Sequence, residues 1–141
     1  MINIRFIANL IGRLMLIESA CFLLCVVISL IYGEHDTWAF IISAAITAAT
    51  GALMVYTINA PDKILAKKDG YFTVTFIWLI FSLFGCLPFI LSHSIPSFID
   101  AFFETMSGFT TTGSSVLNDI ESLPHATLFW RSMTQWLGGL G

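Results

Sequence analysis

Of 141 residues, 57% are hydrophobic and only 11% are charged, and the mean hydropathy is +0.86. A water-soluble domain of this length carries about a quarter of its residues as Asp, Glu, Lys or Arg, so the shortfall of charge points to a chain that lives in lipid. A dispersed net charge of −3 argues against a nucleic-acid partner, and three cysteines inside apolar runs, Cys21, Cys25 and Cys86, offer neither a disulfide framework nor a metal site.

In chain order, residues 1–60 predict a two-helix transmembrane hairpin. Met1 to Arg13 is a short amphipathic lead-in, and Leu14 to Tyr32 is long enough to cross a hydrocarbon core of about 30 Å at about 1.5 Å per residue. Glu18 interrupts that run near Arg13, and a pair snorkelling to the interface is expected. Gly33 to Asp36 makes an acidic turn, and Thr37 to Ala60 follows without a charge, with Ala44-Ala45, Ala48-Ala49 and Gly51-Ala52 giving it a smooth packing face.

Residues 61–70 form a basic linker carrying Lys63, Lys67 and Lys68. Together with Arg5 and Arg13, and against Glu34 and Asp36 at the other end, these place the N-terminus and the linker in the cytoplasm.

Residues 71–141 predict a helix, a half-helix, a loop and a second helix. The spanning helix is 71–92, with Pro88 as a kink or exit near its outer end. The next apolar run, 97–108, rises only about 18 Å and cannot span, so it is expected to re-enter the membrane from outside, capped by Ser97 with Asp100 answering. Its C-terminal end, the negative end of the helix dipole, then meets loop 109–116, where Thr110, Thr111 and Thr112 precede Gly113. Three β-branched residues and a glycine suit an extended backbone, and a polar irregular segment at membrane depth is tolerated where protein buries it or it lines a water-filled path. Presenting oxygens to a cation is the economical purpose. A helix over 124–141 follows, with Pro124 in its first turn and Arg131 about 10 Å deep. A charge at that depth must pair, and Glu104 on the half-helix is the expected partner, a brace for the loop whose swapped pair should still function.

His35, His93 and His125 lie at outer helix ends without metal-ligand spacing, and Trp78, Trp130 and Trp136 suit packing or an interfacial belt. No Ser/His/Asp or His/Glu cluster converges as an enzyme would need. The fold class is therefore all-α integral membrane, in a membrane–pore–membrane plan like that of potassium channels. A small helical subunit that only packs in a larger assembly, with the threonines as an irregular loop, is the alternative.

Residues 103–113, Phe-Glu-Thr-Met-Ser-Gly-Phe-Thr-Thr-Thr-Gly, followed by residues 129–141, Phe-Trp-Arg-Ser-Met-Thr-Gln-Trp-Leu-Gly-Gly-Leu-Gly, resemble the first pore repeat of the Trk/Ktr family of bacterial potassium uptake proteins, nearest its TrkH branch. The leading hairpin matches the extra N-terminal helices of that branch. The resemblance implies a fragment holding one of four filter segments, incomplete in its last helix, the other three repeats closing the ring. It implies potassium ion bound by the backbone carbonyls of Thr111 and Thr112, with Thr110 and Gly113 adjacent. It also implies a homodimer in the bacterial inner membrane and a cytosolic nucleotide-binding regulatory subunit.

Overall fold

The computed structural model describes residues 4–59 and 66–140, and these form six α-helices. The two longest are α1 (Ile4–Tyr32) and α2 (Thr37–Thr57), joined by the turn 33–36. Then come α3 (Lys67–Gly85), α4 (Leu87–Leu91), the short α5 (Phe98–Phe109) and α6 (His125–Leu140). Three stretches, Ile4–Tyr32, Thr37–Thr57 and Lys67–Leu91, are long and apolar enough to cross a membrane. Large apolar side chains such as Leu24, Val27, Leu30, Trp38, Leu53 and Phe72 point outward, as lipid-facing surfaces require.

The expected break between lead-in and first span does not exist: α1 is one helix of 29 residues, because nothing between Ile4 and Leu14 breaks a helix. At about 43 Å it exceeds the hydrocarbon thickness. Within the linker, Pro61, Asp62 and Lys63 lie outside the described residues, while Lys67, Lys68 and Asp69 belong to the first turn of α3 rather than to a loop. Asp69 accepts the Ala66 N–H at 3.3 Å, half of a capping box, since alanine has no oxygen to return. The third helix also stops short of Ser92. It breaks after Gly85, and Pro88 sits in the first turn of α4, where its missing N–H costs nothing.

The hairpin closes on glycine. A Cβ on Gly12 would lie 2.9 Å from the Gly51 carbonyl oxygen, and one on Gly51 would lie 2.8 Å from that of Gly12. Of the paired small residues in α2, only Ala44 and Gly51 are buried, with Thr47 between them at helical spacing. Their neighbours Ala45 and Ala49 face outward. Ser19 adds a hydrogen bond to the Ala44 carbonyl at 2.9 Å.

The larger core joins the hairpin to the helices that follow it. Phe22, Cys25 and Phe40 from the hairpin cluster with Cys86, Phe89, Phe109 and Trp130. Phe22 packs against Trp130 with ring centroids 4.5 Å apart, and Phe109 packs edge-on to Trp130 at 6.3 Å. In lipid such packing is held by van der Waals contact between closely fitted side chains rather than by removal from water. The three cysteines are free and buried, packed as small apolar groups.

The candidate ion-filter site

The half-helix α5 ends in a closed turn. The Thr111 N–H donates to the Gly108 carbonyl at 3.0 Å and the Thr112 N–H to the Ser107 carbonyl at 2.9 Å, the two bonds of a Schellman motif. That motif needs a left-handed residue, usually glycine, and here Thr111 takes it with φ +56. Gly113, two residues on, has φ +78. The expectation of an extended backbone from Thr110 onward is thus corrected: Thr110 and Thr111 fold back, because the last carbonyls of α5 need donors and the loop's first N–H groups are the nearest.

The threonine hydroxyls are engaged locally. Thr110 Oγ1 donates to the Met106 carbonyl at 2.7 Å, Thr111 Oγ1 to the Thr110 carbonyl at 2.7 Å, and the hydroxyls of Thr110 and Thr112 lie 2.9 Å apart. Thr110, Thr111, Thr112 and Gly113 are all exposed on this chain and sit together at the negative end of the α5 dipole, where a cation is favoured. The expected capping bond at the other end of α5 is absent: Ser97 makes no side-chain cap, and the turn there rests on the Ala101 N–H bonding the Ser97 carbonyl at 2.9 Å.

Glu104 ties the loop to both helices. It faces inward from α5, 4% exposed, and its Oε1 accepts from Arg131 Nε at 2.7 Å. Its carboxylate also accepts the Ser115 hydroxyl at 3.0 Å and, through Oε2, the Val116 N–H at 3.0 Å. One turn later Ser107 donates to the Ser114 carbonyl at 2.6 Å. The far limb of the loop is therefore hung on α5 by two side chains, and Arg131 fixes Glu104 from α6. Sequence reasoning paired Glu104 with Arg131 but missed Ser107, Ser115 and Val116. The expected exchange of the two charges meets an obstacle in the geometry, because an arginine at position 104 could not accept the Val116 N–H.

Helix α6 lies against α5 at glycine distance. A Cβ on Gly108 would collide with the Thr134 hydroxyl, and one on Gly138 with the Phe109 carbonyl group. Trp130, fully buried, donates from Nε1 to the Gly85 carbonyl at 2.8 Å, so the end of α3 is held by α6.

The outer end of α6 is held by the hairpin tip. Glu34 Oε1 accepts the His125 backbone N–H at 3.0 Å and lies 2.6 Å from His125 Nδ1. Asp36 accepts the Thr127 hydroxyl at 3.0 Å and that of Ser29 at 2.6 Å. Two carboxylates thus meet the N-terminal turn of α6, where the helix dipole favours negative charge. Partial burial opposes ionisation of Glu34, but hydrogen bonds from the His125 backbone and ring and from the Ala126 N–H outweigh it and hold its pKa below the usual value. Tyr32 stacks on the His125 ring at 3.9 Å. His35 and His93 are exposed nearby, and among the described residues no group of histidine, cysteine and carboxylate is placed to hold a metal.

Glu18 departs most from expectation. It does not pair with Arg13: five residues apart, the two lie about 140° apart around the helix, so Arg13 is exposed while Glu18 is 1% exposed.

Comparison with known proteins agrees with this architecture. Residues 37–141 match the family model for TrkH, described as a cation transport protein. The chain is 37% identical over 140 residues to the Trk system potassium uptake protein TrkH of Halomonas elongata and 36% identical to that of Escherichia coli strain K12. Each alignment covers 99% of this chain but 29% of the relative, so the chain spans less than a third of their length. The crystal structure of the potassium transporter TrkH from Vibrio parahaemolyticus superposes with a TM-score of 0.92 at 31% identity, covering 99% of this chain and 30% of that one. A family match over most of the chain, on an all-helical fold with three candidate spans, means that this chain belongs to the TrkH cation transport family.

Proposed function

We propose that the chain supplies one wall of a path for potassium across the bacterial inner membrane, with residues 71–141 as one of four filter repeats and 1–60 as a supporting hairpin. Backbone carbonyls of Thr111 and Thr112 take the place of part of the ion's hydration shell, and Thr110 and Gly113 set their direction. Glu104 and Arg131 brace the loop and touch no ion. Three further repeats complete the ring, since a filter needs oxygens from all sides. The assembly is a homodimer in lipid, with its N-terminus in the cytoplasm, gated by a cytosolic nucleotide-binding subunit.

The observation that carries this reading is the suspension of loop 110–116. A polar loop at the negative end of a half-helix too short to span, pinned at Ser114, Ser115 and Val116 by Ser107 and Glu104, is held more firmly than a mere connection needs. Growth at limiting potassium of a bacterial strain lacking its own uptake systems tests it, comparing residues 1–141 with a form completed by three further repeats. Rescue by the completed form, lost on Gly113→Ala with membrane insertion unchanged, is expected. Rescue that survives Gly113→Ala and Thr111→Ala alike would reduce the chain to a packing subunit.

A further inference from the structure

Glu18 is the fifteenth residue of the 29 in α1, so it lies near the middle of the helix. It is turned into the protein: an added Cβ on Gly85 would sit 3.0 Å from Glu18 Oε1 and 2.8 Å from Thr105 Cγ2. Neither carboxyl oxygen has a hydrogen-bond or ion-pair partner among the described residues, although both are fully buried. Beside it runs a crevice of about 390 Å³ between α1, α3, α5 and α6, walled by Leu14, Trp78, Phe81, Phe109 and Leu137. The titratable groups that face it are two buried thiols, Cys21 on its own helix and Cys86 at the α3–α4 break, and neither brings a positive charge. Gly85 is the last residue of α3, so the carboxyl lies at the negative end of a helix dipole.

Each of these features disfavours a carboxylate and none compensates it. An unpaired charge in such surroundings takes up a proton instead. We propose that Glu18 is a membrane-embedded proton-binding site that holds the neutral acid at physiological pH and joins the N-terminal hairpin to the pore repeat at the α3–α4 break. Release breaks the carboxyl O–H bond and passes the proton through the crevice to hydroxide or a buffer base, leaving a carboxylate that Gly85 and Thr105 cannot solvate. Alkaline pH therefore loosens α1 from α3 and α5. This does not depend on the route of the ion, and its readout is not transport.

Infrared spectroscopy of the protein in lipid bilayers, with carbon-13 on the glutamate carboxyls, tests it. A protonated-carboxyl band is expected across about pH 6–8, with no carboxylate band from this residue. The band should shift in heavy water and vanish in Glu18→Gln, while a thermal midpoint that falls at alkaline pH in the wild type stays level in that variant. Should Glu18→Gln fail to fold, Glu18→Asp with label on aspartate must gain the band. A carboxylate at Glu18 at neutral pH, or a protonated band untouched by either substitution, would overturn the proposal.

Discussion

Gly138 and Gly139 are neighbours in α6, yet an added methyl group would meet opposite surroundings at the two positions. At Gly138 a Cβ would lie 2.7 Å from the Phe109 carbonyl carbon and 2.9 Å from its Cα, and would meet the carbonyl oxygen more closely still. Carbon atoms rest at about 3.5–4.0 Å, so α6 must retreat from α5 by roughly 1 Å. The obstacle is backbone, and no rotamer change can relieve it. Overpacking of this kind costs about 1–3 kcal/mol, and the retreat moves the residue that immediately precedes Thr110. At Gly139 nothing lies within 4 Å, and alanine is favoured over glycine in a helix interior by about 1 kcal/mol. Gly138→Ala should thus lower the thermal midpoint of the purified protein and impair uptake, whereas Gly139→Ala should leave uptake intact and raise the midpoint slightly. Tryptophan fluorescence melts of the pair, with uptake measured in parallel, make the comparison at constant composition. Equal behaviour of the two variants would refute the close α5–α6 contact as the cause.

Glu104→Ala strips Arg131 of its partner and Ser115 and Val116 of their acceptor, a loss of about 3–5 kcal/mol for a broken buried pair; the double exchange Glu104→Arg with Arg131→Glu should fail to restore uptake, and full rescue would show that charge pairing is the whole role. Thr111→Gly should raise thermal stability by about 1 kcal/mol, because a β-branched side chain no longer occupies a left-handed backbone, while Gly113→Ala, with open space around it, should lower it by a similar amount through φ +78 alone. The pKa of Glu34 is lower in the folded state than in the unfolded one, so its contribution is present above the ordinary carboxylate range and is lost as pH falls through the folded value. Hydrogen-exchange protection at the first turn of α6, taken relative to the intrinsic amide rate at each pH, should fall below about pH 4.3, and Glu34→Gln should remove that dependence.

The half-helix α5 was legible in the sequence because its apolar run is too short to span and ends in residues unsuited to a helix. The Glu104–Arg131 contact was legible for an electrostatic reason: Arg131 lies about two turns into an apolar helix, and a charge there needs a partner. What could not be read was everything that joins distant segments through neutral or interfacial groups. Ser115 and Val116 are an exposed serine and a backbone N–H, and nothing in their identity marks Glu104 as their acceptor. Glu34 and His125 stand 91 positions apart, as do Asp36 and Thr127, and each alone looks like an ordinary loop-end residue. Glu18 and Arg13 are near in sequence but not in space, because helical geometry turns the two to different faces.

Those long-range joins bear on what the N-terminal hairpin is for. A pair of helices that merely anchored the chain would need only a greasy exterior and the Gly12–Gly51 contact. Instead its tip binds the first turn of α6 through Glu34 and Asp36, its middle places Glu18 against the end of α3, and Phe22 packs on Trp130, whose indole holds the Gly85 carbonyl. Arg131, which fixes Glu104 and through it the loop, is one residue beyond Trp130. These contacts predict that a displacement of the hairpin reaches the loop through α6 without touching any residue of it. Phe22→Ala should accordingly impair uptake by more than the roughly 3–5 kcal/mol loss of stability for a truncated core aromatic accounts for. A variant of equal instability made at the Gly12–Gly51 contact of the same hairpin supplies the control. If the two lose uptake in proportion to stability alone, the hairpin is an anchor and not a positioning element.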